Sequence, residues 1–284
     1  DVLKEHFDEE NIVYWMAFQI LMGNVDTQNR NVYLYSPLNS DIWYFIAWDN
    51  DGCLMRSEYE LKNFSDQSSW EKGISNYWGN ILFQRCLKSR SFREKLNDAI
   101  LDLREYLNKD MLTSKIESYK NVLKPYLYLM PDAEYEPLTS EQYDQIAASL
   151  PDEIEKNYKL YLESLETPMP FYIGVPTIDG NKLKFNWDVS YDLDAEDITY
   201  SVEVARDYLF QDVIYHNTTL TVPETEMDLP QAGQYFVRIR ATNTSGKTQD
   251  AFDYYVTDEG KHYGMKCFYI TEDSTVEEDD YEEG

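Results

Sequence analysis

The sequence predicts an α+β chain, in which a mostly helical first part carries one small β-hairpin and an all-β sandwich follows. Three observations lead there. Apolar residues recur at helical spacing over residues 9–22 and again through residues 80–165. Beyond residue 170 the pattern changes to strands that alternate inward and outward residues. Between the two regimes stands Thr167-Pro168-Met169-Pro170, which ends helical continuity twice, because proline lacks the amide donor and restricts the residue before it. The domain boundary therefore falls at residues 167–168.

The first helix spans residues 9–22, with Ile12, Trp15, Met16, Gln19 and Ile20 on one face and Gly23 at the C′ position. Its aromatic residues Trp15 and Phe18 read as core. Two apolar and aromatic runs follow, Asn31-Val32-Tyr33-Leu34-Tyr35 and Trp43-Tyr44-Phe45-Ile46-Ala47-Trp48, joined by a turn rich in Pro, Asn, Ser and Asp, which is a hairpin signal. Residues 53–80 are polar and punctuated by Trp70, Tyr77 and Trp78, with Trp70 and Trp78 expected to pack against the helices. Helices are then expected over 81–88, 92–107, 113–130 and 139–165, broken by Asn108, Pro131 and Pro151. Ser91 and Thr113 are candidate N-caps, and Thr139-Ser140-Glu141-Gln142 has the form of a capping box. Strands are expected over 183–187, 198–204 and 235–241.

Composition narrows the function classes. A formal net charge of −28 gives the electrostatic term that drives nucleic-acid binding the wrong sign, and it suits divalent cations or basic protein segments instead. No run approaches the length of apolar sequence that a membrane span needs. Cys53, Cys86 and Cys267 are widely spaced and read as structural thiols. His6, His216 and His262 lack the spacing of a helical zinc site. Neither a Gly-x-Ser-x-Gly elbow nor a Walker-type loop occurs.

The chemistry concentrates in residues 23–51. Asp26 and Asn31 have the Asp-x-x-x-x-Asn spacing of kinase catalytic loops, where the Asp contacts the acceptor hydroxyl and the Asn holds a metal ion. A hairpin that leaves this loop and returns to it would bring Asp49 back beside both. Mg²⁺ takes oxygen ligands and only one or two carboxylates, a demand that Asn31 and Asp49 meet. The spacing by itself is a short motif that chance also produces. Asp49-Asn50-Asp51-Gly52 with Glu58 fills several positions of a calcium loop, although Ala47 stands where the first ligand belongs and strand residues precede it. A third reading has Asp49 and Asp51 simply ending a strand.

The wider pattern is more specific. Gly23-Asn24-Val25-Asp26, then Asn31-Val32-Tyr33-Leu34-Tyr35, then Trp43-Tyr44-Phe45-Ile46-Ala47-Trp48-Asp49-Asn50-Asp51 resembles the CotH family, atypical protein kinases named after a spore-coat protein. Its members carry Asn-x-Asp, an Asn before aromatic strand residues, and a Trp-x-Phe-Ile-x-Trp-Asp-x-Asp segment. A looser likeness continues over residues 80–165, with Leu82-Phe83-Gln84-Arg85-Cys86-Leu87-Lys88 and Ser91-Phe92-Arg93, so that it covers about half of the chain.

The resemblance implies a kinase-like C-lobe over residues 1–167, with Asp26 as the catalytic-loop Asp. It makes Asn31 and Asp49 the residues that hold the nucleotide through Mg²⁺ or Mn²⁺, with Asp51 as a further metal ligand. The implied reaction moves the ATP γ-phosphate to Ser or Thr of a protein, a basic one by charge, at the cell surface of a bacterium or outside it. The chain departs from the family at its start, where the nucleotide-gripping Lys and its Glu partner are missing and Lys4 has no strand around it. On this reading the chain lacks an N-lobe through truncation and is inactive by itself.

Trp187, Leu229-Pro230, Gly233-Gln234-Tyr235-Phe236-Val237-Arg238-Ile239-Arg240-Ala241, Asn243 and Gly246 resemble an immunoglobulin-like, fibronectin type III sandwich over residues 168–258. There Tyr235 would make the tyrosine corner and Trp187 the core plug. Residues 259–284 read as an extension ending in a solvated tail, since residues 271–284 hold eight acidic side chains. The second functional reading is a non-catalytic cell-surface scaffold whose sandwich meets a glycan or protein partner. Tyr254 and Tyr255 suggest the glycan, although alternation puts one of the pair in the core.

Overall fold

The computed structural model describes residues 2–62 and 68–278. It is α+β, and the described residues divide into two compact units, one of residues 2–62 and 72–163 and the other of residues 68–71 and 164–278. The division at 163–164 lies just before the predicted boundary.

The first unit opens with α1 (Val2–His6) and α2 (Glu9–Met22). Asp8 caps α2 by accepting the Asn11 N–H, and Gly23 ends it in the left-handed conformation at φ 64°. The expected single apolar face is too narrow a description. Ile12, Val13, Trp15, Met16, Ala17, Ile20 and Leu21 are all buried, as in a helix that is enclosed on most sides. Trp15 stacks on Phe83 at 5.6 Å, and Phe45 and Tyr77 close the cluster around them.

The hairpin consists of β1 (Tyr33–Tyr35) and β2 (Tyr44–Ile46), antiparallel with Tyr33 opposite Ile46. Asn11 fastens it to α2, because its side-chain amide both donates to the Phe45 carbonyl and accepts the Phe45 N–H. Next come α3 (Arg56–Lys62), α4 (Ile81–Lys88), α5 (Arg90–Tyr106), α6 (Lys109–Leu127), α7 (Ser140–Ser149) and α8 (Glu153–Glu166). Thr139 and Gln142 form the predicted capping box. Two caps differ from expectation. Ser89 precedes α5 in place of Ser91, and Asn108 rather than Thr113 starts α6, since its side chain accepts the Met111 N–H and extends the helix toward the N-terminus. The predicted helix over 139–165 is interrupted by a 3₁₀ turn around Pro151.

The second unit is antiparallel β. The strands β3 (Thr177–Asp179), β4 (Lys182–Asn186) and β7 (Glu224–Asp228) form one sheet in the order β3-β4-β7. A larger sheet runs β13-β12-β8-β5-β6, with β9 (Thr248–Asp250) also on β8. Its members are β5 (Ile198–Ala205), β6 (Val213–Leu220), β8 (Gly233–Asn243), β12 (Met265–Ile270) and β13 (Val276–Glu278). Leu183 and Phe185 of one sheet share a core with Val202, Val237, Ile239 and Phe268 of the other. A small ribbon pairs β10 (Tyr254–Thr257) with β11 (Gly260–Tyr263).

Two expectations need correction here. Residues 259–278 are not an extension, because β12 pairs along β8 and buries Phe268 and Ile270, which complete the sheet and its core. The acidic residues 279–284 lie outside the described residues. Trp70 does not pack on the helices but is buried against Phe252 and Tyr263 of the second unit, where Ser69 also accepts a hydrogen bond from Gln249. Tyr254 and Tyr255 are both half-buried, so neither is a full core residue.

Two outcomes test this packing. The Tyr235 hydroxyl donates to the Gln231 carbonyl at 2.8 Å, so Tyr235→Phe should cost about 1 kcal/mol and lower the melting midpoint. Asp253 accepts the Ile173 N–H and pairs with Lys266, yet burial holds its carboxyl above the usual range. Its contribution to stability is therefore full below the ordinary carboxylate range and declines as pH rises through the raised value. Asp253→Asn, which keeps an acceptor for Ile173, should flatten that decline in melting midpoints taken between about pH 4 and pH 7.

Candidate active site

The site is built where α2 ends. A helix enclosed in apolar side chains leaves its last carbonyls without water, so other groups must satisfy them. Gly23 returns its N–H to the last turn, and the Asn157 side chain, from α8, donates to the Leu21 carbonyl at 2.9 Å. Asn157 in turn accepts from Arg56 Nε at 2.6 Å. The buried Glu153 carboxylate receives the Arg56 and Ser57 N–H groups and so caps the start of α3.

Asn24 then opens a 3₁₀ turn, Val25–Thr27, by accepting the Asp26 N–H. The turn is clasped from the far side. Tyr77 stands 2.9 Å from the Thr27 hydroxyl, Asn76 donates to the Val25 carbonyl, and Asn80 donates to the Gln28 carbonyl. Asp26 emerges with its carboxylate accepting from Asn31 Nδ2 at 2.8 Å. The predicted pair therefore meets directly.

The return strand of the hairpin delivers the second carboxylate group. Tyr33 lies opposite Ile46, so β1 begins and β2 ends at the same edge, where the Tyr33 and Trp48 rings meet at 5.1 Å. Just beyond, Asp49 adopts φ 51°, and Asn31 adopts φ 54° before β1. The Asp49 carboxyl is raised above its usual range, chiefly by the charge of Asp51, with smaller parts from desolvation, a hydrogen bond with Asp51 and the charge of Asp26. Gly52 passes close beneath, since a Cβ there would stand 3.9 Å from the Asp26 Cβ. Asp26, Asn31, Asp49 and Asp51 thus share one acidic surface. Burial and the Asp51 charge push the nearby Cys53 thiol up to about 12, which makes it a slow nucleophile at neutral pH.

Can these residues hold a metal? Among the described residues no three His, Cys, Asp or Glu side chains form a ready cage. Hard cations such as Mg²⁺ need no such cage, since one or two carboxylates suffice beside phosphate and water. The mutual repulsion that raises Asp49 is what a bound dication would relieve, so this donor set fits the ion. A calcium loop fits less well, because strand β2, not a helix, leads into Asp49.

Sequence reasoning missed the residues beneath the acids. Gln19, read as part of an apolar face, is fully buried and donates to Asn50 at 3.1 Å, while Asn24 donates to both Gln19 and Asn50. The available signal was a glutamine among Met16, Ile20 and Leu21, which must find polar partners if enclosed. Glu153 and Asn157 gave no such signal, since polar residues on a long amphipathic helix are ordinary.

A family model described as CotH kinase protein matches residues 1–161. The chain belongs to the CotH family. That membership covers the whole acidic site of this CotH chain and the helices that support it. No curated protein matches it. Among solved structures, the twitchin kinase region from C. elegans is 17% identical with a TM-score of 0.25, over 34% of this chain and 20% of that one. The surface layer protein SbsC, domains 1–6, is 13% identical with a TM-score of 0.17, over 96% of this chain and 38% of that one. The CotH chain spans well under half of either structure, and likenesses at these scores carry no argument about its fold. Within the described residues, no helix is long and apolar enough to cross a membrane.

Gly23 provides a test of the support. A Cβ there would fall 2.6 Å from Asn157 Nδ2 and would be forced into the left-handed region. Gly23→Ala should therefore destabilise the chain by more than about 1 kcal/mol, read as a lower urea midpoint.

Proposed function

We propose that this chain carries the acidic site of a CotH-type phosphotransferase, which transfers the ATP γ-phosphate to a Ser or Thr hydroxyl of a protein. The observation that carries the reading is the Asp26–Asn31 hydrogen bond standing beside Asp49 and Asp51 in a CotH-family chain. Asp26 would accept the proton of the acceptor hydroxyl as the new phosphate ester bond forms and ADP leaves. Asn31 and Asp49, helped by Asp51, would hold Mg²⁺ or Mn²⁺. Such an ion neutralises charge on the transferring phosphate, and the protein contributes positioning. The net charge of −28 favours a Lys- or Arg-rich acceptor protein. The work site is the bacterial cell surface or beyond it.

We infer further that the second unit is a fibronectin type III-like sandwich. The Tyr235 hydroxyl bond to Gln231 and the burial of Trp187 in the core shared by the two sheets support that. A second functional reading, a non-catalytic scaffold, draws support from this unit. A cleft of about 260 Å³ there is lined by Tyr172, Tyr254, Tyr255, Asp253 and Lys266, a mixture of aromatic and charged groups suited to a glycan or a protein segment.

Calorimetric titration with ATP in Mg²⁺ or Mn²⁺ separates the two readings. On the phosphotransferase reading the chain binds the metal-nucleotide, and Asp49→Ala and Asn31→Ala each weaken binding at least tenfold, about 1.4 kcal/mol. Asp26→Asn, which keeps an acceptor for Asn31, should retain metal-nucleotide binding and lose transfer, because on this reading the Asp26 carboxylate takes the acceptor proton. Equal binding by Asp49→Ala and the wild type would make the metal assignment wrong.

A further inference from the structure

Asn50 lies between the two loop carboxylates, Asp49 and Asp51. Asn50 Oδ1 accepts from Gln19 Nε2 at 3.1 Å and from Asn24 Nδ2 at 3.3 Å. Both donors are enclosed, with Gln19 at 0% and Asn24 at 2% exposure. Asn24 also receives the Asp26 N–H on its own Oδ1. One three-residue network therefore touches both loops that carry acids, the Asp26 turn through Asn24 and the Asp49–Asp51 segment through Asn50.

Other attachments of the loop do not lie between the carboxylates as Asn50 does, and among them the Cys53 side chain is hydrogen-bonded to Asn24. Leu54 donates its N–H to the Met22 carbonyl at 2.8 Å, three residues past Asp51. Gly52 merely permits the approach, since a Cβ there would stand 3.2 Å from Asn24 Oδ1. Asp49 at φ 51° and the repulsion among neighbouring acids both favour the loop's release. Asn50 opposes that release from between Asp49 and Asp51.

We propose that Asn50 is a positioning residue, which holds Asp49 and Asp51 beside Asp26 and so sets the chain's affinity for a divalent cation without touching the ion. This rests on the metal site proposed above. Its bonds run to Gln19 and Asn24, not outward, so its effect passes through loop geometry. Cys53, next along the same loop and half-buried, reports that geometry by its accessibility.

The experiment is a Mn²⁺ titration of the full chain, paired with the rate at which an aromatic disulfide reagent labels Cys53, read by peptide mass. Asn50→Leu, similar in volume and without an acceptor, should lose Mn²⁺ affinity at least tenfold and label Cys53 at least tenfold faster. Gln19→Met, which suits the enclosed helix, removes the bond from the other side and should do the same if Asn50→Leu fails to fold. Wild-type Mn²⁺ affinity in either folded apolar variant overturns the role of Asn50, and so does lost affinity with Cys53 still protected. If the wild-type chain itself takes up no Mn²⁺, the metal site falls and the role of Asn50 falls with it; that titration alone tells the two failures apart.

Discussion

The end of α2 is the constraint on which the first unit's site depends. An enclosed helix must stop without stranding its carbonyls, and here it does so through a left-handed glycine and an asparagine contributed from α8. The chain then turns at once into Asn24, so the geometry of the Asp26 turn is inherited from the helix end rather than from the turn's own short sequence. A fully satisfied buried polar network specifies one arrangement, because every alternative leaves a donor or acceptor unpaired in a low-dielectric setting. Gln19, Asn24 and Asn50 form such a network, and the acids sit on its solvent side.

That division of labour explains how acids are held together in a chain with so few nearby cations. Amide groups and backbone N–H groups fix the loops, while no described ion pair reaches Asp26, Asp49 or Asp51. Repulsion is consequently left in place, and it appears as the raised Asp49 carboxyl. Elsewhere the chain pairs its acids readily, as at Glu203 with Arg238 and Asp144 with Lys124. The contrast is local, so it does not follow from net charge alone.

What could be read from the sequence was whatever depends on near neighbours. The capping box at Thr139, the stop at Gly23 and the alternation of β5 and β8 are set within a few residues and were legible. The Asp26–Asn31 pair was legible for the same reason, since five residues of turn bring the two side chains together. The supports were not. Glu153 reaches Ser57, and Asn157 reaches Leu21, across most of the first unit's sequence, so no window of residues contains both partners. Trp70 misled because its neighbours suggest helix packing while its partner Phe252 lies far along the chain. Likewise the acidity of residues 271–284 masked the short strand Val276–Glu278, whose pairing with β12 needs only backbone groups and leaves its acids in solvent.

The local chemistry also bears on whether the acidic surface serves binding or mere scaffolding. Two non-glycine residues beside it, Asn31 and Asp49, occupy the left-handed region, and neighbouring carboxylates keep their repulsion. Each feature works against stability, and a scaffold would lose nothing by relaxing either one, for instance with glycine at 49 and an amide at 51. Costs of this kind gather where a ligand of opposite charge repays them. The buried amides beneath Asp49 and Asp51 make the same point from below, since enclosing a glutamine and an asparagine to hold an exposed loop is useful only if the loop's position matters. These local costs support the proposed cation site over a purely scaffolding role for the first unit.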